Sequence, residues 1–401
     1  MNYNIDSIGT KCFGCGLCKN ICPFEAIEFI EDKEGFLYPS IEKEKCKNCG
    51  KCLKECPTKE ISFPNMKFTT KAYMAISKDQ RIYNNSASGG FATVLSKYVI
   101  EKLGGAVYGC AMDEEANVKH IKIGKIEDLV KIQDSKYVQS NIIDIFNEIK
   151  DDLKMQRILF IGTPCQVDAI KKFCGNELCE NLITCDLVCH GVPSPGVFKK
   201  YYNFLLEKND YKLKQYRFRN KSSYDKCGFR GRLIIGDRRK YFFTNDDMFY
   251  DEFLNEKNYR ISCYDCKYKN TKRTGDFTLG DVNSWELYYD FYPELASSLV
   301  ILNNQKAKDM FALVNSEIEF REISLPKEVK INKALSQQAL YPLERSNIYN
   351  KYNDLYNNKK KSYANTRIRL KNIFKLIVPF KYRILLKKYI HKNMRKSNIN
   401  C

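Results

Sequence analysis

Between residues 86 and 206 the apolar positions of the chain change period repeatedly. Phe91–Leu103 carries them at helical spacing, Ala106–Ala111 is a short strand-like run, and Ile142–Met155 is helical again. Arg157–Gly162 then predicts a short strand entering a turn, Gln166–Phe173 a helix, Asn181–Cys189 a strand and Pro195–Leu206 a long helix. Strands alternating with helices in this way predict an α/β domain built on a partly parallel sheet. From Lys212 to Phe243 the pattern is mostly strand, which predicts a β-richer lobe. Ahead of both, residues 64–85 read as a linker that includes one strand, Ala72–Ser77.

Composition narrows the class. With 401 residues, 44% of them hydrophobic and 13% aromatic, the chain is long enough for two or three packed domains and too apolar to be disordered. The formal charge is +19, but residues 357–401 hold 14 Lys or Arg and no acid, so residues 1–356 carry only 19 − 14 = +5. A dispersed nucleic-acid surface would not concentrate its charge in one terminal segment, so no nucleic-acid partner is expected. The first ten residues are short on apolar character and include Asp6, which predicts no secretory signal. Nor is there an apolar run of about 18 residues, the length a spanning helix needs. Eighteen cysteines in a chain without export features point to metal or redox chemistry in the cytoplasm, not to a disulfide framework.

Those cysteines begin with an internal repeat. Cys12-Phe-Gly-Cys15-Gly-Leu-Cys18-Lys-Asn-Ile-Cys22-Pro23 recurs 46 − 12 = 34 residues later as Cys46-Lys-Asn-Cys49-Gly-Lys-Cys52-Leu-Lys-Glu-Cys56-Pro57. Both runs resemble bacterial two-cluster ferredoxins, in which three closely spaced thiolates hold one 4Fe-4S cluster and the fourth reaches the other. Carried over residue by residue, Cys12, Cys15, Cys18 and Cys56 would hold one cluster, and Cys46, Cys49, Cys52 and Cys22 the second. The competing reading is a pair of zinc knuckles or a disulfide cluster, but zinc prefers two separated pairs of ligands.

Further stretches carry possible chemistry: Ser86-Ala-Ser-Gly-Gly-Phe91, Gly162-Thr-Pro-Cys-Gln166, Cys185-Asp-Leu-Val-Cys189-His190-Gly191, and Arg260-Ile-Ser-Cys263-Tyr-Asp-Cys266 running on to Gly275–Asp281. Thr163 suits a helix N-cap with Pro164 in the first turn, and a helix N-terminus suits a phosphate or an anionic flavin. The same field favours a thiolate at Cys165, as cluster ligand or reactive group. In this order, behind the paired cysteine runs, the motifs of residues 1–320 resemble the beta-subunit family of coenzyme F420 hydrogenases and dehydrogenases. One departure is Gly280-Asp-Val-Asn-Ser-Trp285, where family members end in an aromatic pair and glycine; Asp276 and Asp281 remain.

The resemblance implies a dicluster ferredoxin domain at 1–63, a linker at 64–85, a flavin-binding domain in two parts at 86–155 and 156–345, and a basic amphipathic tail at 346–401. The fold class expected is α+β / α/β multidomain, with FAD or FMN held by Ser88, Gly89, Gly90, Lys136, Gln139, Ser140, Gly162, Thr163 and Gln166. It also implies a third cluster on Cys165, Cys189, Cys263 and Cys266, with Cys185 in reserve; a structural zinc site or plain buried cysteines are the alternatives. Cys165 and His190 are the candidate catalytic residues, His190 either donating to a cofactor or capping its turn. Cys174 and Cys179 read as metal-free, and Cys110, Cys227 and Cys401 as structural or incidental.

The function implied is an iron–sulfur flavoprotein oxidoreductase moving electrons between a two-electron carrier or substrate, a flavin and the clusters. Its partners would be F420 or ferredoxin as redox carrier and a separate catalytic protein of the same complex. The rivals are a flavin-free electron shuttle or scaffold, and a ferredoxin-dependent reductase of polysaccharide biosynthesis. In the tail, Ile368, Ile373, Leu376 and Ile377, then Phe380, Ile384, Leu385 and Ile390, are interleaved with Lys and Arg across Pro379. Two short basic amphipathic helices would lie on anionic lipid at the inner face of the membrane; a solvated tail and a partner-bound helix are the alternatives.

Overall fold

The computed structural model describes residues 4–61, 70–175, 177–221, 230–282 and 296–355, together with residues 382, 386 and 389. At the N-terminus, Ile27–Glu31 (β1) and Leu37–Ile41 (β2) pair antiparallel between the two cysteine runs. Each run turns through a glycine of positive φ, Gly16 (φ 80°) or Gly50 (φ 73°), into a one-turn helix that carries Cys18 or Cys52. Only glycine takes that backbone without strain. At Gly16 a Cβ would also stand 3.0 Å from the Ile143 Cα.

The body strands follow in order: Lys71–Ser77 (β3), Ala106–Met112 (β4), Val118–Ile123 (β5), Ile158–Gly162 (β6) and Leu182–Leu187 (β7). Leu213–Asn220 (β8), Arg230–Ile235 (β9) and Arg238–Phe243 (β10) form a separate three-stranded sheet. Phe277–Asp281 (β11), Ser298–Leu302 (β12) and Ile318–Ile323 (β13) return to the body. The large sheet has the order β13-β3-β12-β11-β7-β6-β4-β5. Its central run β11-β7-β6-β4 is parallel and the remaining pairings are antiparallel, so the sheet is mixed. Parallel strands covered on both faces must be apolar throughout, and β6 and β7 are almost entirely buried.

Residues 71–85 do not behave as a linker. β3 lies inside the sheet between β12 and β13, and Gln80–Asn85 forms a helix capped by the Asp79 carboxylate. The alternation in Lys-Ala-Tyr-Met-Ala-Ile-Ser is that of a half-buried strand, so the sequence carried the signal at Ala72–Ser77 and hid its partners, which lie over 200 residues away. The helix expected from Ile142 begins at Phe146, because Ile142 and Ile143 are buried in the preceding turn.

On one face of the sheet, Phe91–Leu103 and Gln305–Val314 bury Phe91, Leu95, Phe277 and Phe311 in one cluster. On the other, Phe146–Met155 and Pro164–Cys174 pack with Leu17 and Cys15 of the first cysteine run. The cysteine-rich module therefore shares a core with the body. The smaller sheet lays one face on Pro195–Lys208, Met248–Leu254 and Arg345–Asn353. Among the described residues no helix is long and apolar enough to cross a membrane.

Arg345 ties this last helix back to the module. Its two terminal nitrogens donate to the two Glu34 carboxylate oxygens, both at 2.6 Å, in the β1–β2 turn. Removing one partner of a buried pair leaves the other charge uncompensated, at a cost of about 3–5 kcal/mol. Arg345→Met is expected to lower the denaturation midpoint by that order and expose the β1–β2 hairpin to protease. Unchanged melting and cleavage would show that the pair adds nothing to docking.

Candidate redox centre

The local sequence positions the first eight thiols. Cys12, Cys15, Cys18 and Cys56 line one pocket with about 290 Å³ of empty space, and Cys22, Cys46, Cys49 and Cys52 line another with about 340 Å³. Each pocket thus takes three cysteines from one run and the fourth from the other. The Gly14 N–H donates to the Cys12 sulfur at 3.3 Å, the Ala26 N–H to the Cys22 sulfur at 3.5 Å, and Thr58 shares a hydrogen bond with the Cys56 sulfur at 3.0 Å. Such donors stabilise thiolate charge in iron–sulfur sites. The donor set and the pockets fit 4Fe-4S clusters, whose chemistry is one-electron exchange.

A second group of thiols comes from three separate elements. Cys165 stands in the first turn of the Pro164–Cys174 helix after β6, Cys189 follows β7, and Cys263 and Cys266 belong to the turn at Ile261–Asp265. Cys189, Cys263, Cys266 and Cys165 lie within electrostatic reach of one another, and Cys165 also reaches Cys15. Cys185 does not join them: it is fully buried inside β7, within the apolar cluster that holds Phe91 and Leu279. Among the described residues, no three His, Cys, Asp or Glu converge as for a single metal ion. Burial pushes the thiols of Cys15, Cys18, Cys165 and Cys263 well up. At Cys165 desolvation outweighs the Thr163 hydrogen bond, so the thiol pKa is raised where the helix N-terminus alone would lower it.

Buried cations hold the two thiol groups together. Arg260, fully buried, donates from Nε to the Cys12 carbonyl at 2.7 Å, from Nη2 to the Leu37 carbonyl at 2.9 Å and from Nη1 to Gln139 at 3.1 Å, with Tyr38 4.0 Å beneath it. Ser262 donates to the same Cys12 carbonyl at 2.9 Å, and Gln139 donates to the Phe13 carbonyl at 2.9 Å. Phe13 meets Tyr268 edge-on at 5.5 Å, and the Tyr268 hydroxyl donates to Asp168 at 2.6 Å. Behind the second thiol group, Arg273 pairs with the fully buried Asp186 at 2.9 Å. Asp186 also accepts from the backbones of Thr274 and Gly275, which locks the end of β7 to the strand entering β11.

The residues assigned to a flavin fall into two groups. Gln139, Ser140, Thr163 and Gln166 form a clasp: Gln166 donates to Ser140 at 3.0 Å and accepts from the Thr163 N–H beside Gly162. The other group lies around Ser86–Gly90. Gly89 lies so close to β3 that a Cβ would stand 2.0 Å from the Ala75 carbonyl oxygen, and Ser88 meets Ser298 at 3.1 Å. Here β8 contributes cations that sequence reading missed. Arg217 donates to the Asn85 carbonyl at 3.0 Å and pairs with Asp134 at 3.0 Å. Arg219 donates to the Ala87 carbonyl at 2.9 Å and pairs with Asp281 at 2.8 Å, while Lys221 donates to the carbonyls of Tyr83 and Ser88. Their signal was the run of cations Arg217, Arg219 and Lys221 along and just beyond β8.

Lys136 lies near Asp134 and Arg217, its pKa lowered by burial. Lys221 is pushed down to about 7, first by desolvation and then by Arg219. His190 presents its ring edge to Phe253 at 6.4 Å, and its carbonyl accepts from Lys269 at 3.0 Å. Cys174, the last residue of the Pro164–Cys174 helix, lies near Cys179 in the turn beyond it. Cys227, Trp285, Cys401 and nearly all of the tail lie outside the described residues.

An open sheet with its chemistry at the carboxyl ends of parallel strands, joined to eight thiols in two pockets, is the architecture of an iron–sulfur electron-transfer protein. Comparison with protein families agrees. Residues 155–325 match the family defined by the carboxyl-terminal part of the coenzyme F420 hydrogenase/dehydrogenase beta subunit, and residues 11–59 match the 4Fe-4S dicluster domain. The chain thus joins a domain of the F420 hydrogenase/dehydrogenase beta-subunit family to a dicluster ferredoxin domain, an oxidoreductase-type combination. No curated protein matched it. A solved chain of the F420-reducing NiFe hydrogenase complex from Methanosarcina barkeri aligns at TM-score 0.47 and 16% identity, covering 66% of this chain and 88% of that one.

Cluster assignment is open to direct test. Cys12→Ser and Cys56→Ser are expected to remove the same paramagnetic signal, and Cys22→Ser that of Cys46→Ser; if Cys56 goes with Cys46, the crossed arrangement is wrong. Cys266→Ala is expected to cost about four irons per chain, whereas Cys185→Ala should cost none. Stoichiometric zinc with only about eight irons would replace the third cluster by a structural zinc site.

Proposed function

We propose that the chain is an iron–sulfur flavoprotein oxidoreductase in which the cysteines at 165, 189, 263 and 266 hold a third 4Fe-4S cluster between a flavin and the two ferredoxin clusters. The observation that carries this reading is a sequence of neighbours. Cys15 lies by Cys165, Cys165 by Cys189, and beyond His190 the end of β11 holds Asp281 against Arg219. Among the described residues, the basic side chains of Lys136, Arg217, Arg219 and Lys221 gather there against the carboxylates of Asp134 and Asp281. Buried basic groups suit an anion, and a flavin phosphate beside the open backbone of Ser88-Gly89-Gly90 fits them. A flavin supplies exchange between two-electron and one-electron steps.

The chain's own residues then have definite tasks. Arg219 and Lys221 hold the Ser86–Gly90 loop in place and present charge to the phosphate. The Gln166–Ser140 clasp and Arg260 keep the module from shifting against Cys165. The redox carrier, whether F420 or ferredoxin, and a separate catalytic protein of the same complex belong to the same proposal, as does a cytoplasmic location. Anaerobically purified protein is expected to hold about twelve irons and one flavin per chain; the same iron without flavin would favour the electron shuttle.

Arg219→Ala is expected to lower flavin content several-fold while leaving iron unchanged. pH adds a second reading. The folded pKa of Lys221, about 7, lies below its ordinary 10.5, so the unliganded fold gains stability as pH rises between the two. Anion retention runs oppositely, because Lys221 loses its charge as pH rises through about 7. Flavin release that steepens above pH 7 in the wild type and flattens in Lys221→Met is the expected result. Identical profiles would remove Lys221 from the site.

The basic tail is proposed to give reversible contact with anionic lipid. Intact protein is expected to float with anionic vesicles at low salt, and a chain ending at Tyr356 to remain in solution. Equal behaviour of the two removes the membrane contact.

A further inference from the structure

The three-stranded sheet has two unlike faces. Tyr216, Phe218, Leu233 and Phe242 point into the apolar core of the lobe. By the two-residue period of a strand, the opposite face carries Arg217 on β8, Arg230 and Arg232 on β9, and Arg239 and Tyr241 on β10; a bulge between Arg217 and Asn220 interrupts the period before Arg219. Cross-strand register sharpens the picture: Arg217 stands directly opposite Arg232, and Arg232 directly opposite Tyr241.

Like charges directly opposed across a strand pair are destabilising. Arg217 is relieved by Asp134, whereas Arg232 has the neutral Gln215 amide oxygen, at 2.7 Å. The Nε groups of Arg230 and Arg232 are both shielded from solvent and find no hydrogen-bond acceptor among the described residues. Desolvation, then Arg217 and Arg239, lower the pKa of Arg232 from its ordinary value. A buried N–H without an acceptor is costly, and guanidinium forks match phosphate oxygens two at a time. The face is therefore built to take an anion.

We propose that the arginine face of the β8–β10 sheet binds the phosphate or diphosphate of a small-molecule substrate whose reacting end extends towards the redox centre. The proposal rests on the redox reading above and adds the chemical class of the substrate. Position supports it. At one end of the face Arg217 touches the carbonyl of Asn85, which leads into the candidate cofactor loop, and at the other Arg239 and Tyr241 are open to solvent. A phosphate held here would anchor the non-reacting end, so that binding energy far from the chemistry orients the reacting end. Arg232 would act as a binding residue on that phosphate, and Tyr241 would offer an exposed ring to the group the phosphate carries.

Pyrophosphate is the probe. It would be titrated into the anaerobically purified full chain by calorimetry, with melting followed in parallel, for wild type, Arg232→Gln and Arg232→Lys. The expected result is one-to-one binding that raises the melting temperature of the wild type, weakened about tenfold or more in Arg232→Gln and less in Arg232→Lys. Without pyrophosphate, Arg232→Gln should melt no earlier than wild type, since it removes a repulsion, and its iron and flavin contents should be unchanged. The proposal is overturned if the wild type does not bind pyrophosphate, or if all three proteins bind it equally. Loss of flavin in Arg232→Gln would also overturn it, because the face would then belong to the cofactor. Displacement of pyrophosphate by a single-stranded RNA oligomer, through Arg232, would overturn it in favour of nucleic acid. Protein that holds no flavin but binds pyrophosphate through Arg232 would sink the flavoprotein reading and leave the anion site standing.

Discussion

The guanidinium of Arg260 is the contact on which the arrangement of this protein turns. One buried side chain reaches the carbonyl of the first ferredoxin cysteine, the β2 backbone and Gln139, while its own backbone leads into Cys263. Charged hydrogen bonds contribute about 1.5–3 kcal/mol each, so three on one rigid fork define a single docked position. It acts with the Arg345–Glu34 pair and the shared apolar core, and it is the contact that joins the first ferredoxin cysteine to the turn carrying Cys263. The apolar side of the same interface, Leu17 and Cys15 against Ile142 and Phe146, supplies burial but not orientation.

The body provides the second half of the centre through its sheet. Parallel strands deliver their carboxyl ends to one edge, and there β6 leads to Cys165, β7 to Cys189 and β11 to Asp281. Asp186 holds that edge together by taking five donors: the Arg273 side chain, two backbone N–H groups and two threonine hydroxyls. An ionised carboxylate without exposure is tolerable only when every oxygen is satisfied, and this one is. The result is a stiff frame around thiols whose pKa values burial raises.

Charge follows position in the same way. The cysteine module and the body satisfy their buried cations, Arg273 with Asp186, Arg345 with Glu34 and Arg260 with two carbonyls and Gln139. The β8–β10 lobe does not: among the described residues its arginines outnumber their carboxylate partners, and two guanidinium nitrogens are shut away from both water and protein acceptors. Desolvated charge of one sign is costly to maintain, and the anion proposed for this face would offset that cost.

What the sequence by itself determined is the part of the chemistry that is local. Three cysteines two residues apart, with Gly16 or Gly50 ahead of the next turn, close a ligand loop whatever surrounds them, and the repeat of the motif supplied its partner. The alternation of strands and helices was equally local, and the mixed sheet follows from it. Tertiary structure alone decided that Ala72–Ser77 pairs inside the sheet, that Cys185 lies in the core while Cys189 joins the thiol group, and that Gln139 serves the module interface. It also decided that Arg217 meets Arg232. A strand pattern shows which residues share a face of one strand, but the residue opposite is set by register between strands, and register is fixed only when the whole lobe packs.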